Sequence, residues 1–250
     1  MTHPSISVVI PLFNKQQYVS AAIDSVLSQT FQDFEIVVVN DGSTDDGPEV
    51  VRQKRDGRIR LIDQDNGGVS SARNRGIQAA LSDVIAFLDA DDEWRPEFLS
   101  IVMDLRARYP EAGAYATAYR ISKGKGLYRD VVASAFARTG RAGLIEDYFG
   151  SAHKTLISSS SVAVLRKVFD RLDGFREGYT MGEDMDMWFR IAAHYDIAYS
   201  PTIAAVWQFG VGGSACQTKL PTSTGPRQDC PAKLRETGTY WAPSVPRGKC

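Results

Sequence analysis

The sequence predicts an α/β fold: one Rossmann-like domain with a mostly parallel central sheet flanked by helices. Two observations predict it. Short apolar, β-branched segments alternate along the first half of the chain with segments whose apolar residues recur at helical spacing. The connections between them are short, which is typical of parallel sheets covered by helices. With 250 residues, of which 43% are apolar, the chain is long enough to bury such a core.

The first half of the chain carries the regular part of this pattern. The segment from residue 17 to 29 repeats apolar residues every three or four positions, so we expect one helical face to pack on the sheet. Strands are predicted at 6–10, 35–39, 59–62 and 84–88, and helices at 17–29, 48–55 and 70–81.

The second half of the chain is less regular. Pro96 suits the first turn of a helix predicted over 96–108. A last helix begins after Gly182, and we expect Met185, Trp188 and Ala192 to share one helical face. Strand-like composition marks two further segments, 114–121 and 156–165.

The composition changes at about residue 210. Five of the eleven prolines lie beyond residue 220, and the three cysteines lie in the last 35 residues at spacings that fit no zinc site. We therefore predict one domain over residues 1–209, with halves of about 1–110 and 111–209. We expect 210–250 to be an atypical, poorly ordered tail.

The charge balance limits the classes of partner. The formal net charge is −1, so the chain lacks the basic excess typical of nucleic-acid binding. No apolar run approaches the roughly 20 residues needed to cross a bilayer, and the first residues do not form a signal peptide. We expect a cytoplasmic protein, compatible with peripheral contact at the inner face of the membrane.

Polar or aromatic residues follow three of the predicted strands. In parallel sheets, ligands bind outside the carboxyl ends of the strands. Turns also favour Asn, Asp and Gly, so one such cluster would indicate only a turn. Three clusters at one sheet edge favour a binding site. They are Phe13-Asn14, Asn40-Asp41 and Asp89-Ala90-Asp91-Asp92.

The residue types in these clusters suggest what the edge could bind. The carboxylates of Asp89 and Asp91 are ligands that Mg²⁺ or Mn²⁺ prefers. Asp41 could accept hydrogen bonds from a base or ribose, whereas Asp45 is better placed to cap the next helix. Phe13 could stack on a planar base or belong to the core.

Three other side chains extend the candidate site. Gly67-Gly68 predicts a tight turn before a helix on which Arg73 or Arg75 could pair with a diphosphate. Arg75 fits a solvated helix face better than Arg73 does. Glu183 or Asp184 could act as a general base or could cap a helix. The three histidines have no evident Ser or Cys partner, and no P-loop or Gly-x-Gly-x-x-Gly sequence follows a strand.

Taken together and in order, these motifs resemble those of the inverting nucleotide-sugar glycosyltransferases of glycosyltransferase family 2, which have the GT-A fold. The resemblance covers roughly residues 5–209. The matching segments are 7–14 (SVVIPLFN), 28–45 (SQTFQDFEIVVVNDGSTD), 66–76 (NGGVSSARNRG), 87–92 (FLDADD), 174–175 (GF) and 182–184 (GED) leading into 188–190 (WFR).

The resemblance implies a role for each candidate residue. Asp184 would be the catalytic base, with Glu183 as the second choice, and Asp91 with Asp89 would hold Mn²⁺ or Mg²⁺. The donor would be a nucleoside-diphosphate sugar, with UDP favoured, and the acceptor a hydroxyl of a saccharide or lipid-linked glycan. The donor-binding residues would be Pro11, Phe13, Asn14, Asp41, Arg73, Asp89 and Ala90.

One departure from the family pattern leaves an alternative open. Family members usually carry a histidine-containing segment after the acidic helix, but residues 207–215 match it only loosely, and no histidine follows His194. The alternative is a non-catalytic nucleotide-sugar-binding protein with a disabled C-terminal region. A sugar nucleotidyltransferase would need a Gly-rich, basic loop after the first strand, and the sequence from Leu12 to Lys15 is not one.

Overall fold

The computed structural model describes residues 3–124, 126–151, 156–179 and 181–210. The strands are β1 (Ile6–Leu12), β2 (Phe34–Asp41), β3 (Ile59–Gln64), β4 (Val84–Phe87), β5 (Glu93–Trp94), β6 (Ala114–Ser122), β7 (Tyr128–Val131), β8 (Gly143–Leu144), β9 (Val162–Leu165) and β10 (Ile197–Gln208). The helices are α1 (Val19–Leu27), α2 (Gly47–Arg52), α3 (Val69–Ala79), α4 (Phe98–Arg108), α5 (Ser134–Thr139), α6 (Tyr148–Ser151), α7 (Arg166–Leu172) and α8 (Glu183–His194), with a 3₁₀ turn at Ser159–Ser161.

The strands form one sheet in the order β3-β2-β1-β4-β9-β6-β10-β5, with β7 on β6 and β8 on β10. Its longest ladders, β1–β2, β2–β3 and β6–β10, are parallel. Strand β9 runs antiparallel between β4 and β6 and so joins the two parallel parts. The predicted α/β fold with a mostly parallel sheet is confirmed.

The buried core explains why the strands of the first half could be predicted from the sequence. All residues of β1 and β2 are buried, as expected for central parallel strands covered by helices on both faces. Helix α3 packs closely against β1. A Cβ added at Gly76 would lie 2.3 Å from Val9 Cγ1, so the helix can approach this near only with glycine there.

One prediction for the second half is wrong. Residues 156–165 do not form one strand, because the 3₁₀ turn Ser159–Ser161 precedes β9. Serine hydroxyls there bond the local backbone and so compete with strand pairing. The buried residues of α8 are Met187, Trp188 and Ile191, whereas Met185 and Ala192 are half-buried. Of the three apolar residues predicted to share a face of this helix, Trp188 is the one that is buried.

The sheet order brings the predicted polar clusters together. Because β2, β1 and β4 are parallel neighbours, their carboxyl ends meet at one edge of the sheet. Apart from Gly210, the predicted tail lies outside the described residues, so its order and the domain limits stay predictions. Within the described ranges, no helix combines the length and apolarity needed to cross a bilayer.

Candidate functional site

The loops after β1 and β2 form one wall of the candidate site. Asn14 has a φ of 51°, in the left-handed region that asparagine tolerates. Its Oδ1 accepts a hydrogen bond from the backbone N–H of Thr44 at 2.8 Å, and its own N–H donates to Ser43 Oγ at 3.2 Å. Phe13 is 46% exposed, so it is not a core residue, while Pro11 is buried within β1.

Asp41 lies at the end of β2 with both carboxylate oxygens engaged. Its Oδ1 accepts hydrogen bonds from Gln64 Nε2 and the N–H of Gly67, both at 2.8 Å, and its Oδ2 accepts one from Gly68 N–H at 2.9 Å. The residue is 3% exposed. Asp41 therefore fixes the glycine turn from which α3 begins.

Asp45 acts as the sequence led us to expect. Its Oδ1 accepts a hydrogen bond from the N–H of Gly47, the first residue of α2, at 3.0 Å. Its Oδ2 accepts one from the N–H of Gln16 at 2.9 Å. The carboxylate thus satisfies a free N–H at the start of the helix and ties it to the loop after β1.

The Asp89-Ala90-Asp91 segment follows β4, and each of its carboxylates meets a protein cation. Asp91 Oδ2 lies 2.6 Å from Lys15 Nζ, and Asp89 Oδ1 lies 2.8 Å from Arg73 Nη2. Burial raises the pKa of Asp91, and the hydrogen bond and charge of Lys15 oppose that rise. Ala90, between the two aspartates, is buried.

Arg73 connects the two acidic parts of the site. Its side chain is 2% exposed, and its Nη1 lies 2.9 Å from Glu183 Oε1 while its Nη2 binds Asp89. Burial alone would lower the pKa of Arg73, but the charges of Asp89, Glu183 and Asp184 raise it overall, so the guanidinium stays charged. Arg75, two residues along the helix, is exposed, as its sequence position suggested.

Asp184 lies in the first turn of α8, beside Glu183. Burial is the main cause that raises the pKa of Asp184 to about 6, the charge of Glu183 adds to the rise, and the charge of Arg73 opposes it. Its Oδ2 lies 3.4 Å from Ser159 Oγ, and its Oδ1 accepts a hydrogen bond from Met185 N–H. A carboxyl with this pKa is mostly ionised at neutral pH and can still take up a proton.

Sequence reasoning missed several side chains that contact this site, among them Lys15, Ser159 and Ser160. Ser160 Oγ donates to Asp92 Oδ2 at 2.5 Å and accepts from the N–H of Asp89 at 3.1 Å. The four-serine run at 158–161 was visible, but its strand-like composition concealed the turn. Lys15 comes directly after Phe13-Asn14, and nothing in the sequence around it indicated a contact with Asp91, 76 residues away.

The residues present fit a hard divalent cation. Asp89 and Asp91 offer carboxylate oxygens at the sheet edge, and Asp91 already binds a cation, the ammonium of Lys15. Within the described residues, no three His, Cys, Asp or Glu side chains converge as a closed metal cage. A donor set of one or two carboxylates is typical of Mg²⁺-type sites in which substrate phosphates and water supply the remaining ligands.

Comparisons with known proteins show which chains this one is similar to. An uncharacterized glycosyltransferase of Rickettsia felis is 33% identical over 201 residues, which are 77% of this chain and 31% of that protein. The chain spans about a quarter to a third of the length of the curated relatives it matches.

Two solved structures share the fold. Residues 1–349 of S. aureus TarS in complex with UDP-GlcNAc match with a TM-score of 0.73 and 19% identity, over 85% of this chain and 61% of that one. The mannosyltransferase PcManGT of Pyrobaculum calidifontis, in complex with GDP-Man and Mn²⁺, matches with a TM-score of 0.63 and 21% identity, over 88% and 59%.

The sequence also matches the profile of glycosyl transferase family 2 over residues 7–172, from the second residue of β1 to the end of α7. That range includes the loops after β1 and β2, Arg73 and the Asp89-Ala90-Asp91 segment. The chain therefore belongs to glycosyl transferase family 2, with the GT-A fold.

Proposed function

We propose that the chain is an inverting glycosyltransferase that moves a sugar from a nucleoside-diphosphate donor to a hydroxyl of a saccharide or lipid-linked glycan. One observation carries the proposal. Arg73 joins Asp89, at the end of β4, to Glu183, beside Asp184 at the start of α8. A pair of carboxylates suited to a metal–diphosphate and a carboxyl suited to proton uptake thus belong to one site.

The nucleotide would bind against the loops after β1 and β2. The exposed ring of Phe13 offers a stacking face for the base, and Asn14 holds the two loops together. Asp41 already accepts three hydrogen bonds, and a carboxylate has about four acceptor positions, so one position remains for the edge of the base. UDP is the favoured nucleotide by family resemblance, and TarS was solved with UDP-GlcNAc.

Asp91 and Asp89 would hold Mn²⁺ or Mg²⁺ together with the donor diphosphate. The bound metal supplies positive charge that neutralises the charge developing on the leaving diphosphate. The Mn²⁺ in the PcManGT complex with GDP-Man supports this part of the proposal.

The chemistry is a single displacement in which Asp184 is the base. The acceptor hydroxyl oxygen forms a bond to the anomeric carbon as its proton passes to Asp184. The bond from the anomeric carbon to the phosphate oxygen breaks, and its electron pair leaves with the nucleoside diphosphate. Attack from the opposite face inverts the anomeric configuration. With a pKa of about 6, Asp184 is ionised and ready to accept the proton at neutral pH.

Glu183 and Arg73 would support this base. The guanidinium of Arg73 favours the ionised form of Asp184, and Glu183 orients the guanidinium through their 2.9 Å contact. The reaction would take place in the cytoplasm, and a lipid-linked acceptor would bring the protein to the inner face of the membrane.

Nucleotide binding tests the donor half of the proposal. A ligand that binds only the native protein raises its melting temperature by mass action. We expect one of UDP, GDP, dTDP and CDP to raise the Tm with Mn²⁺ present and to do so less in EDTA, with UDP giving the largest shift. Asp91→Asn should remove the Mn²⁺-dependent part. Absence of a shift with every nucleotide would contradict the proposal.

A further inference from the structure

The 3₁₀ turn Ser159–Ser161 holds both ends of the Asp89–Asp92 segment through a single hydroxyl. Ser160 Oγ accepts a hydrogen bond from the N–H of Asp89 at 3.1 Å and donates one to Asp92 Oδ2 at 2.5 Å. Asp89 begins the segment and Asp92 ends it. The carboxylates of Asp89 and Asp91 are therefore carried on a short stretch of chain whose two ends share one anchor.

This anchor is itself rigidly placed. Ser160 is 1% exposed, and its carbonyl oxygen accepts a hydrogen bond from Trp94 Nε1 at 2.6 Å. Asp92 is 2% exposed, and its Oδ1 accepts a hydrogen bond from Gln208 N–H at 2.9 Å at the end of β10. Because each of these polar groups is buried, losing its partner would leave an unsatisfied atom, and the arrangement resists displacement.

The geometry of the segment matters for what it would bind. Mg²⁺ demands near-ideal octahedral geometry, so a small change in the separation of two carboxylates weakens its binding. Groups that hold metal ligands without touching the metal commonly change metal affinity by about 10- to 100-fold when removed. The Ser160 hydroxyl forms hydrogen bonds with both the N–H of Asp89 and the carboxylate of Asp92.

We propose that Ser160 is a positioning residue that sets the placement of Asp89 and Asp91 for the metal–diphosphate part of the donor. This inference rests on the proposed function and deepens it. Ser160 would touch neither the donor nor the metal, and it would act only through the peptide N–H of Asp89 and the carboxyl of Asp92. Its effect should therefore appear in metal-dependent binding and should be absent from metal-independent binding.

The chain offers a matched control in the same turn. Ser161 is also fully buried, but its Oγ donates to the carbonyl of Ser158 and accepts from the N–H of Ser158. Replacing either serine by alanine removes one buried hydroxyl of the same size. Only the Ser160 replacement removes a contact with the Asp89–Asp92 segment.

The experiment measures UDP affinity by calorimetry for the wild type, Ser160→Ala and Ser161→Ala, each with Mn²⁺ and each in EDTA. If another nucleotide proves to be the ligand, it replaces UDP. We expect Ser160→Ala to weaken binding about 10-fold or more with Mn²⁺ and less than about 2-fold in EDTA. Ser161→Ala should change neither affinity by more than about 2-fold.

A second variant keeps the test open if Ser160→Ala does not fold. Ser160→Cys fills nearly the same space with a weak hydrogen-bonding group, and it should show the same selective loss. Equal weakening with Mn²⁺ and in EDTA, or full wild-type affinity, would overturn the inference while leaving the proposed function standing. If the wild type binds no nucleotide in either condition, the proposed function fails and this inference falls with it.

Discussion

Lys15 Nζ lies 2.6 Å from Asp91 Oδ2, in an ion pair whose side chains are 10% and 16% exposed. Lys15 lies in the loop after β1, and Asp91 lies after β4, so the pair links two neighbouring strand ends. Because both side chains are largely buried, the attraction between the two charges is screened less than at the surface. Any cation that binds Asp91 must compete with the ammonium of Lys15.

We predict that Lys15→Gln tightens the binding of Mn²⁺ in the absence of nucleotide by about 10-fold, or roughly 1.4 kcal/mol. Removing the ammonium leaves the Asp91 carboxylate without its competing cation. The measurement is a titration of free Mn²⁺ by electron paramagnetic resonance. Lys54→Gln is the matched control, because Lys54 forms an ion pair of the same length, 2.6 Å, with Asp24, which is not one of the proposed metal ligands. Unchanged or weaker Mn²⁺ binding in Lys15→Gln would show that the ion pair does not limit metal entry.

Phe13→Ala should weaken UDP binding by about 1 to 3 kcal/mol, the usual range for stacking a base on an aromatic ring. Because Phe13 is 46% exposed, the free energy of unfolding should change by less than about 0.5 kcal/mol. Phe13→Tyr keeps the ring and should keep the affinity. Phe149 is 54% exposed and lies outside the loops after β1 and β2, so Phe149→Ala serves as the control. Equal affinities for Phe13→Ala and wild type would place the base elsewhere.

Arg73 and Arg75 form a second matched pair, two residues apart on α3. Arg73→Met leaves Asp89 and Glu183 without their shared cation, and we expect the free energy of unfolding to fall by about 3 kcal/mol or more. Arg75→Met, at an exposed position, should change it by less than about 0.5 kcal/mol. Urea denaturation at pH 7.5 measures both. Similar losses in the two variants would contradict the structural role of Arg73.

The raised pKa of Asp184 predicts how activity depends on pH. The ionised base forms as the pH rises through about 6, so kcat/KM should increase about tenfold per pH unit below 6 and level off above 7. Ser159 Oγ lies 3.4 Å from Asp184 Oδ2, where its hydroxyl favours the ionised carboxylate. Ser159→Ala should therefore move the rising part of the pH profile to higher pH. If kcat/KM of the wild type instead levelled off below pH 5, the base would be a different carboxyl.

The same shift has a consequence for stability. Between about pH 4 and 6, the native protein binds more protons at Asp184 than the unfolded chain does, so this residue makes the free energy of unfolding fall as the pH rises. Asp184→Asn removes that contribution. The variant should therefore gain stability relative to the wild type between pH 4 and 6 and keep the gain above pH 6. A relative loss of stability over this range would mean that the ionised carboxylate is stabilised in the fold.

Buried parallel strands explain how much of the fold was predictable. The predicted strands at 6–10 and 35–39 correspond to β1 and β2, because central strands read as continuous apolar, β-branched runs. Strand β10 was not predicted, since Pro201 interrupts its pattern. The strand continues past the proline with its register against β6 shifted between Ser200 and Ile203, as is typical where a proline lies within a sheet.

The sequence predicted which strand ends carry the residues of the candidate site. It did not predict which side chains those residues contact. Asp89 and Asp91 lie at the sheet edge where the sequence placed them. Their partners come from far along the chain: Lys15 is 76 residues from Asp91, and Ser160 is 71 residues from Asp89. No local pattern encodes such a pairing, because it depends on the order in which the strands assemble.

The role of Asp184 as the base is tested by comparing Asp184→Asn with the wild type in donor turnover and in donor binding. Release of UDP from a UDP-sugar is followed with water as the acceptor, and affinity for UDP with Mn²⁺ is measured on the same samples. We predict that Asp184→Asn lowers turnover by at least about 100-fold, the contribution typical of a general base, while its UDP affinity stays within about 2-fold of the wild type. Turnover near the wild-type rate in a variant that binds UDP normally would contradict the assignment of Asp184 as the base.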